Sequence, residues 1–149
     1  MTISGPMIEV RLVVPFAARW GDSGSYAAAA YNIYLNYDGK GSKYGNTNVG
    51  ANTNDVENMP VYASINGQDD SELHIILINR NYDRKLPAKI SITSSKNYTK
   101  AEIYGFDSNS PTVRKMGSVD NIENNVLTLE VPNLTVFHIV LYSTSVQTK

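Results

Sequence analysis

Residues 36–48, NYDGKGSKYGNTN, separate two parts of the chain that differ in their hydrophobic periodicity. The stretch carries three of the ten glycines, two tyrosines and no aliphatic side chain. Such a composition is typical of a connector with defined turns, and not of a core element. The residues before it favour a helix, and the residues after it favour strands. We therefore predict that this junction stretch is the point where a helical segment gives way to an all-β unit.

The segment that leads into the junction stretch is the best helical candidate in the chain. Ser25–Leu35, SYAAAAYNIYL, contains four consecutive alanines, the residue of highest helix propensity, and Ser23 or Ser25 can cap it. Its other face is also small and apolar, so the pattern predicts a helix that is covered on two sides. The apolar residues at helical spacing are Tyr26, Ala30, Ile33 and Tyr34.

After the junction stretch the apolar residues follow a period of two, as in strands with one buried face. Connectors rich in Asn, Asp, Gly, Ser and Pro separate these segments. Short strands at regular spacing, with no helices between them, predict an antiparallel β-sandwich. The fold class is therefore mainly β, with about eight strands and one N-terminal α-helix. The predicted strands are residues 49–53, 61–65, 73–78, 89–93, 100–104, 113–116, 126–131 and 136–142.

The beginning of the chain carries one more β-rich segment. Residues 7–14, MIEVRLVV, end at Pro15, and the only tryptophan, Trp20, follows. We predict that this segment adds a strand to the sandwich. The chain then divides into an N-terminal extension (residues 1–24), a helix (25–36) and a β-sandwich domain (37–149).

Composition excludes several classes of partner. The net charge is −1 and there is no basic stripe, so we expect neither nucleic acid nor a membrane surface as a partner. The absence of cysteine excludes disulfides and thiolate metal sites. No apolar run approaches the roughly 20 residues of a membrane span. The abundance of Asn, Ser, Thr and Tyr is common in extracellular β-domains, so we expect a secreted bacterial protein whose signal is not in this chain.

No catalytic constellation stands out, and we assign no catalytic residue. His74 and His138 lie inside apolar strand segments without metal-ligand spacing, and we interpret them as structural. A glycosidase needs two carboxylates about 5 to 10 Å apart across a cleft. Asp69 and Asp70 lie in a polar turn, and we interpret them as solvated. Oxygen-rich loops also bind hard cations, which makes this pair a weak calcium candidate; we expect no other cofactor.

Tyrosine is the enriched residue type, with ten in the chain. Flat aromatic faces stack on sugar rings, and neighbouring polar side chains supply hydrogen bonds. Tyr82, between Arg80 and Arg84 in the loop NRNYDRK, is the most suggestive, and Trp20 and Tyr104 complete the candidate carbohydrate-binding set. The alternative is that these aromatic side chains cover strand surfaces.

The junction stretch and its flanks resemble a known family. Residues 30–67, AYNIYLNYDGKGSKYGNTNVGANTNDVENMPVYASING, followed by residues 72–81, ELHIILINRN, resemble the C-terminal part of glycoside hydrolase family 44 endoglucanases. The resemblance implies a barrel-plus-sandwich enzyme in which an NYDGKG-type turn follows the last barrel helix. Residues 25–36 would then be the remnant of that helix. The two catalytic glutamates of the family lie in the barrel, upstream of everything matched, so the resemblance carries over no catalytic residue. A (β/α)₈ barrel needs roughly 200 residues, which leaves no room for one here.

The resemblance leads to two expectations of function. The first is a non-catalytic accessory domain of an endoglucanase-like, plant-polysaccharide-degrading enzyme, with the catalytic barrel as its partner. The alternative is a carbohydrate-binding module that recognises β-glucan through surface aromatics. A small independent enzyme is a third, weaker reading. Because a barrel helix without its barrel exposes an apolar face, we also expect a homodimer through the helix, or a helix packed back on the sandwich.

Overall fold

One helix and eight strands make up residues 24–144, the part of the chain that the computed structural model describes. The predicted strand at residues 7–14 and the candidate Trp20 lie outside this part. The mainly β fold class is confirmed, and the division of the chain at residues 24/25 and 36/37 stays a prediction. The elements are α1 (Ser25–Leu35), β1 (Thr47–Val49), β2 (Val61–Asn66), β3 (Asp69–Asn79), β4 (Leu86–Ser91), β5 (Tyr98–Asp107), β6 (Ser110–Asp120), β7 (Val126–Val131) and β8 (Thr135–Ser143).

The strands form two antiparallel sheets. Six of them pair in the order β1-β2-β3-β8-β5-β6, and β4 pairs with β7. Leu77 and Ile139 point to the side that the β4–β7 pair covers, where they join Leu127 in the main core. On the other side Ile76 packs with Ile33 of the helix. The central strands β3 and β8 are therefore covered on both faces, as their near-continuous apolar runs predict.

The β4–β7 pair covers only part of the sandwich core. A groove of about 850 Å³ runs along β4, with Val61, Ile65 and Ile90 among its apolar walls. Within the described residues, β4 pairs with β7 alone, so its other edge is open. The groove offers room for the predicted strand at residues 7–14, which stays a prediction. If deletion of residues 1–14 left the free energy of unfolding unchanged, that prediction would be wrong.

Most of the strands differ from their predicted bounds by one to four residues at an end. Two of these differences have a direct cause in the structure. The first strand was expected at residues 49–53, but it spans Thr47–Val49, because Thr47 pairs with Ile65 at the sheet edge. The predicted polar turn at Asp69 and Asp70 is shorter than expected. Gly67, with a φ of 63°, closes a two-residue turn, so both aspartates belong to the start of β3.

Helix α1 packs on the sheet through a narrower face than its sequence suggests. Its N-cap is Gly24, and no side chain caps it, so the predicted serine cap is wrong for Ser25. Ala29 and Ile33 are buried against Ile76. The expected apolar face was only partly correct, since Tyr26 and Ala30 are exposed. Another set of exposed residues on the helix, which we call the outer stripe, comprises Ala28, Tyr31 and Leu35.

Candidate functional site

A polar pocket of about 780 Å³ opens on the helix-covered face of the six-stranded sheet. The junction stretch supplies one wall, and strands β2, β3, β5, β6 and β8 supply the rest. We name it the junction pocket. Its lining residues include Tyr37, Glu72, His74, Glu102, Tyr104 and Tyr142.

The junction stretch is held in shape by its own side chains. The Asp38 carboxylate accepts hydrogen bonds from the backbone amides of Lys40 and Ser42 at 2.8 and 3.1 Å, and from the Ser42 hydroxyl at 2.7 Å. These bonds, the hydroxyl first, hold the pKa of Asp38 below its usual value. Gly39 and Gly41 have φ values of 74° and 92°, which glycine adopts without strain. The predicted connector is therefore a defined wall of the pocket.

The same turn brings an aromatic ring over the floor of the pocket. The ring centroid of the buried Tyr37 lies 4.1 Å from that of His138 and 5.0 Å from that of Tyr104. Burial raises the pKa of Tyr37, so its phenol stays protonated at neutral pH. Tyr37 thereby fixes the turn to the sheet beneath it.

His74 and His138 face each other from the central strands. Nδ1 of His74 lies 3.0 Å from Nε2 of His138, and Nδ1 of His138 lies 2.7 Å from the carbonyl oxygen of Ile33. Both rings are buried. Burial lowers the pKa of His74, and it lowers the pKa of His138 to about 4. Both are therefore neutral at pH 7, and together they connect the C-terminal half of α1 to the centre of the sheet.

Glu102 is the hydrogen-bonding centre of the pocket. One carboxylate oxygen accepts from the hydroxyls of Tyr104 at 2.9 Å and Tyr142 at 3.3 Å, and the other pairs with Nζ of Lys115. The Lys115 ammonium and these hydroxyls hold the pKa of Glu102 below its usual value. Burial and the Glu102 carboxylate raise the pKa of Tyr104 to about 12. Glu102 is therefore an ionised acceptor, whereas a general acid needs a raised pKa.

The candidate carbohydrate-binding residues fall in separate places. Tyr104 lies in the junction pocket. Arg80, Tyr82 and Arg84 lie in the β3–β4 loop, where Tyr82 is 77% exposed. The Asn81 side chain shapes that loop by accepting hydrogen bonds from the backbone amides of residues 83 and 84. The predicted set thus gives two distinct surfaces, one at the junction pocket and one at the loop.

The calcium candidates Asp69 and Asp70 already have hydrogen-bonding or ionic partners within the protein. The Asp69 carboxylate accepts from the amide of Ser71 at 2.9 Å, and Oδ1 of Asp70 lies 3.8 Å from Nζ of Lys96. Between residues 24 and 144, no three His, Asp or Glu side chains gather as metal ligands. Calcium binding stays a prediction. In the same part of the chain, no helix is long and apolar enough to cross a membrane.

Sequence reasoning missed the junction pocket because five strands and a turn contribute to it. A usable signal was present in two short patterns. Glu72 and His74 are two residues apart, as are Glu102 and Tyr104. Positions two apart in a strand point to the same face, so each pattern places polar groups side by side within an apolar sheet.

Most of this chain is similar to parts of known endoglucanases and of a xyloglucanase. No protein-family model matches it. The β-mannanase/endoglucanase A of Caldicellulosiruptor saccharolyticus is 86% identical over 119 residues, which are 80% of this chain and 9% of that protein. The crystal structure of a family 44 endoglucanase from Clostridium thermocellum matches with 49% identity and a TM-score of 0.77, over 78% of this chain and 23% of that one. The structure of a family 44 xyloglucanase from Paenibacillus polymyxa with xyloglucan matches with 37% identity and a TM-score of 0.81, over 85% of this chain and 25% of that one.

These comparisons agree with the resemblance that the NYDGKG stretch suggests. The chain spans a quarter or less of the length of the relatives it matches. The similarity extends over about four fifths of the chain and includes its three-dimensional structure. This chain is therefore similar, over about four fifths of its length, to a part of the glycoside hydrolase family 44 endoglucanases.

Proposed function

We propose that this domain is a non-catalytic accessory β-sandwich of a polysaccharide-degrading glycoside hydrolase, and that it supports a catalytic barrel through helix α1. The observation that carries the proposal is the two-sided helix. Ile33 on its inner face is buried, while Tyr31 and Leu35 on the outer stripe are 48% and 54% exposed. Large apolar side chains that form an exposed stripe are typical of a surface that another protein covers.

A half-exposed tyrosine of the sheet lies near Tyr34 of the helix. Tyr62 of β2 is half-exposed, and its proximity contributes to the raised pKa of Tyr34, for which burial is the main cause. Burying a side chain such as leucine or phenylalanine stabilises by about 1.5–3 kcal/mol relative to leaving it exposed. A partner that covers Tyr31, Leu35 and Tyr62 would therefore gain several such contributions.

The electrostatics of the junction pocket support a non-catalytic role. Among the described residues, Glu72 and Glu102 are the glutamates that line it. Retaining and inverting glycosidases need one carboxyl group whose pKa is raised so that it can donate a proton. The pKa of Glu102 is lowered instead, because Lys115 and two tyrosine hydroxyls stabilise its charge. This environment favours binding over proton donation.

A chimera tests the barrel-supporting role. The matching 119-residue segment of the Caldicellulosiruptor saccharolyticus relative would be replaced by the corresponding part of this chain, with and without Tyr31→Glu and Leu35→Glu. We expect the double variant to lose about 3 kcal/mol of interface stability, because it places two charges in an apolar contact. Scanning calorimetry would record a fall of several degrees in the unfolding temperature.

Two controls make the chimera informative. Tyr82→Glu in the same chimera changes an exposed tyrosine outside the outer stripe, and it should leave the unfolding temperature unchanged. In the isolated domain, the double variant should also leave the unfolding temperature unchanged if the outer stripe faces solvent. The isolated domain could instead show an equal fall in unfolding temperature and form a dimer in sedimentation experiments. The partner of the outer stripe would then be a second copy of the domain and not the barrel.

Glycan binding is the second candidate function, and the exposure of Tyr82 between two arginines favours it. We expect retardation in affinity electrophoresis on xyloglucan, hydroxyethylcellulose or mixed-linkage glucan. Tyr82→Ala should abolish it if the loop is the platform, while Tyr62→Ala should not. No retardation on any of the three glucans would contradict this function. Because such polymers lie outside the cell, either function implies a secreted protein.

A further inference from the structure

One nitrogen in the junction pocket has no hydrogen-bond partner within residues 24–144. A carbonyl oxygen only accepts hydrogen bonds, so Nδ1 of His138 donates to Ile33 and its Nε2 is an acceptor in the neutral ring. Nδ1 of His74 must then donate to that Nε2. This leaves Nε2 of His74 as a bare acceptor, and it is buried without a partner. Buried polar groups are nearly always satisfied, so the site calls for a donor.

Glu72 stands beside this acceptor, and no residue between 24 and 144 donates a hydrogen bond to its carboxylate. Oε2 of Glu72 lies 3.8 Å from Nε2 of His74, and that nitrogen carries no proton in the tautomer above. Glu102 differs, since its oxygens already accept from Tyr104, Tyr142 and Lys115. The pocket therefore presents two adjacent acceptors that residues 24–144 leave without a hydrogen-bond donor.

The charges around the pocket decide what kind of donor fits. Its walls include Glu72 and Glu102, but also Lys40, Lys43 and Lys115. An organic cation would satisfy the two acceptors and be repelled by the lysines. An anion would meet Glu72 and a nitrogen that cannot donate. Hydroxyl groups can donate to Glu72 and His74 while they accept from the lysines, so a neutral polyhydroxylated ligand fits both sets.

The size of the junction pocket and its aromatic walls narrow the range of possible ligands further. About 780 Å³ lies within the range of roughly 300–1,000 Å³ that small-ligand sites occupy. Tyr104 and Tyr142 offer half-buried ring faces against which the C–H face of a sugar can pack. We propose that the junction pocket binds a neutral oligosaccharide, one hydroxyl of which donates to Nε2 of His74 and another to the Glu72 carboxylate. This inference rests on the glycan-binding function proposed above.

The test uses the full chain with cellotetraose and a xyloglucan heptasaccharide as probes. Isothermal titration calorimetry should detect binding that falls by about tenfold to a hundredfold in Glu72→Gln, because a charged acceptor is lost. The matched control Glu130→Gln alters an exposed glutamate on β7 and should bind as the wild type does. In ¹⁵N spectra of the unsubstituted protein, the Nε2 resonance of His74 should move upfield when either probe is added.

Other outcomes would refute either the junction pocket alone or the glycan-binding function as well. Tyr82→Ala could abolish binding while the Glu72→Gln variant binds as the wild type does and the His74 resonance does not move. The glycan-binding function would then stand, and the junction pocket would be refuted as its site. If neither probe gives heat or moves the His74 resonance, and no glucan retards the protein, both are refuted. The proposed support of a barrel is measured separately and is untouched by either result.

Discussion

Gly105→Ala is expected to destabilise this domain by about 3 kcal/mol or more. A Cβ atom at this position would lie 2.3 Å from the carbonyl oxygen of Val136, 2.9 Å from Sδ of Met116 and 3.0 Å from Cδ1 of Phe137. Val136 and Phe137 belong to the central strand β8, so relief of the clash requires that a backbone paired on both edges moves. Urea denaturation would measure the loss as a lower midpoint at unchanged slope.

Gly117→Ala is the matched control for this substitution. Gly117 lies on β6, where the nearest atom to an added Cβ is Cδ1 of Ile103 at 3.9 Å. With no clash, alanine restricts the unfolded chain and should stabilise by about 0.4–1 kcal/mol. Equal midpoints for the two variants would contradict the argument from close approach at Gly105.

The second large effect is a loss of stability as the pH falls from 6.5 towards 4. Burial lowers the pKa of His138 to about 4, whereas a histidine in the unfolded chain titrates near 6.5. In this window the unfolded state binds a proton that the folded state does not, so stability rises with pH. The expected loss is about 2 kcal/mol between pH 7 and pH 5. His74 acts in the same direction, because burial lowers its pKa too.

Urea titrations at a series of pH values between 7 and 5 would measure this dependence. The groups that face the histidine pair are Glu72, which lies close to His74, and the protonated phenols of Tyr37 and Tyr44. The pKa values of Asp38 and Glu102 are lowered, so their contributions are lost only at more acidic pH. In His138→Gln the dependence between pH 7 and 5 should shrink to the part due to His74. A free energy of unfolding that is flat over this range in the unsubstituted protein would overturn the prediction.

Most of the architecture follows from local patterns in the sequence. Strands such as Val126–Val131 alternate cleanly between apolar and polar residues, and the helix Ser25–Leu35 is marked by its alanines. Both were predicted within a residue or two. The first strand was misplaced because it is a three-residue edge strand, whose bounds depend on pairing with β2 and not on its own composition.

Features that depend on contacts between distant residues could not be predicted. The rotation of α1 depends on Ile33, which packs on Ile76 and holds His138 through its carbonyl group. The histidine pair depends on the register that sets His74 opposite Val140 on β8, two residues along the strand from His138. No local pattern specifies that register, so each histidine alone reads as an ordinary strand residue. Tyr104 was included in the candidate set, but its partner Glu102 was not.

The position of β3 and β8 at the centre of the large sheet determines when the domain can fold. Strands β1 and β2 attach to the sheet through β3, and β5 and β6 attach through β8. The β2–β3 and β5–β6 hairpins are local in sequence and can form early. The sheet closes only when β3 meets β8, which is the last strand within residues 24–144. During synthesis, two half-sheets with open edges must therefore wait for Thr135–Ser143 to leave the ribosome, and a chain that stops before β8 presents those edges for aggregation.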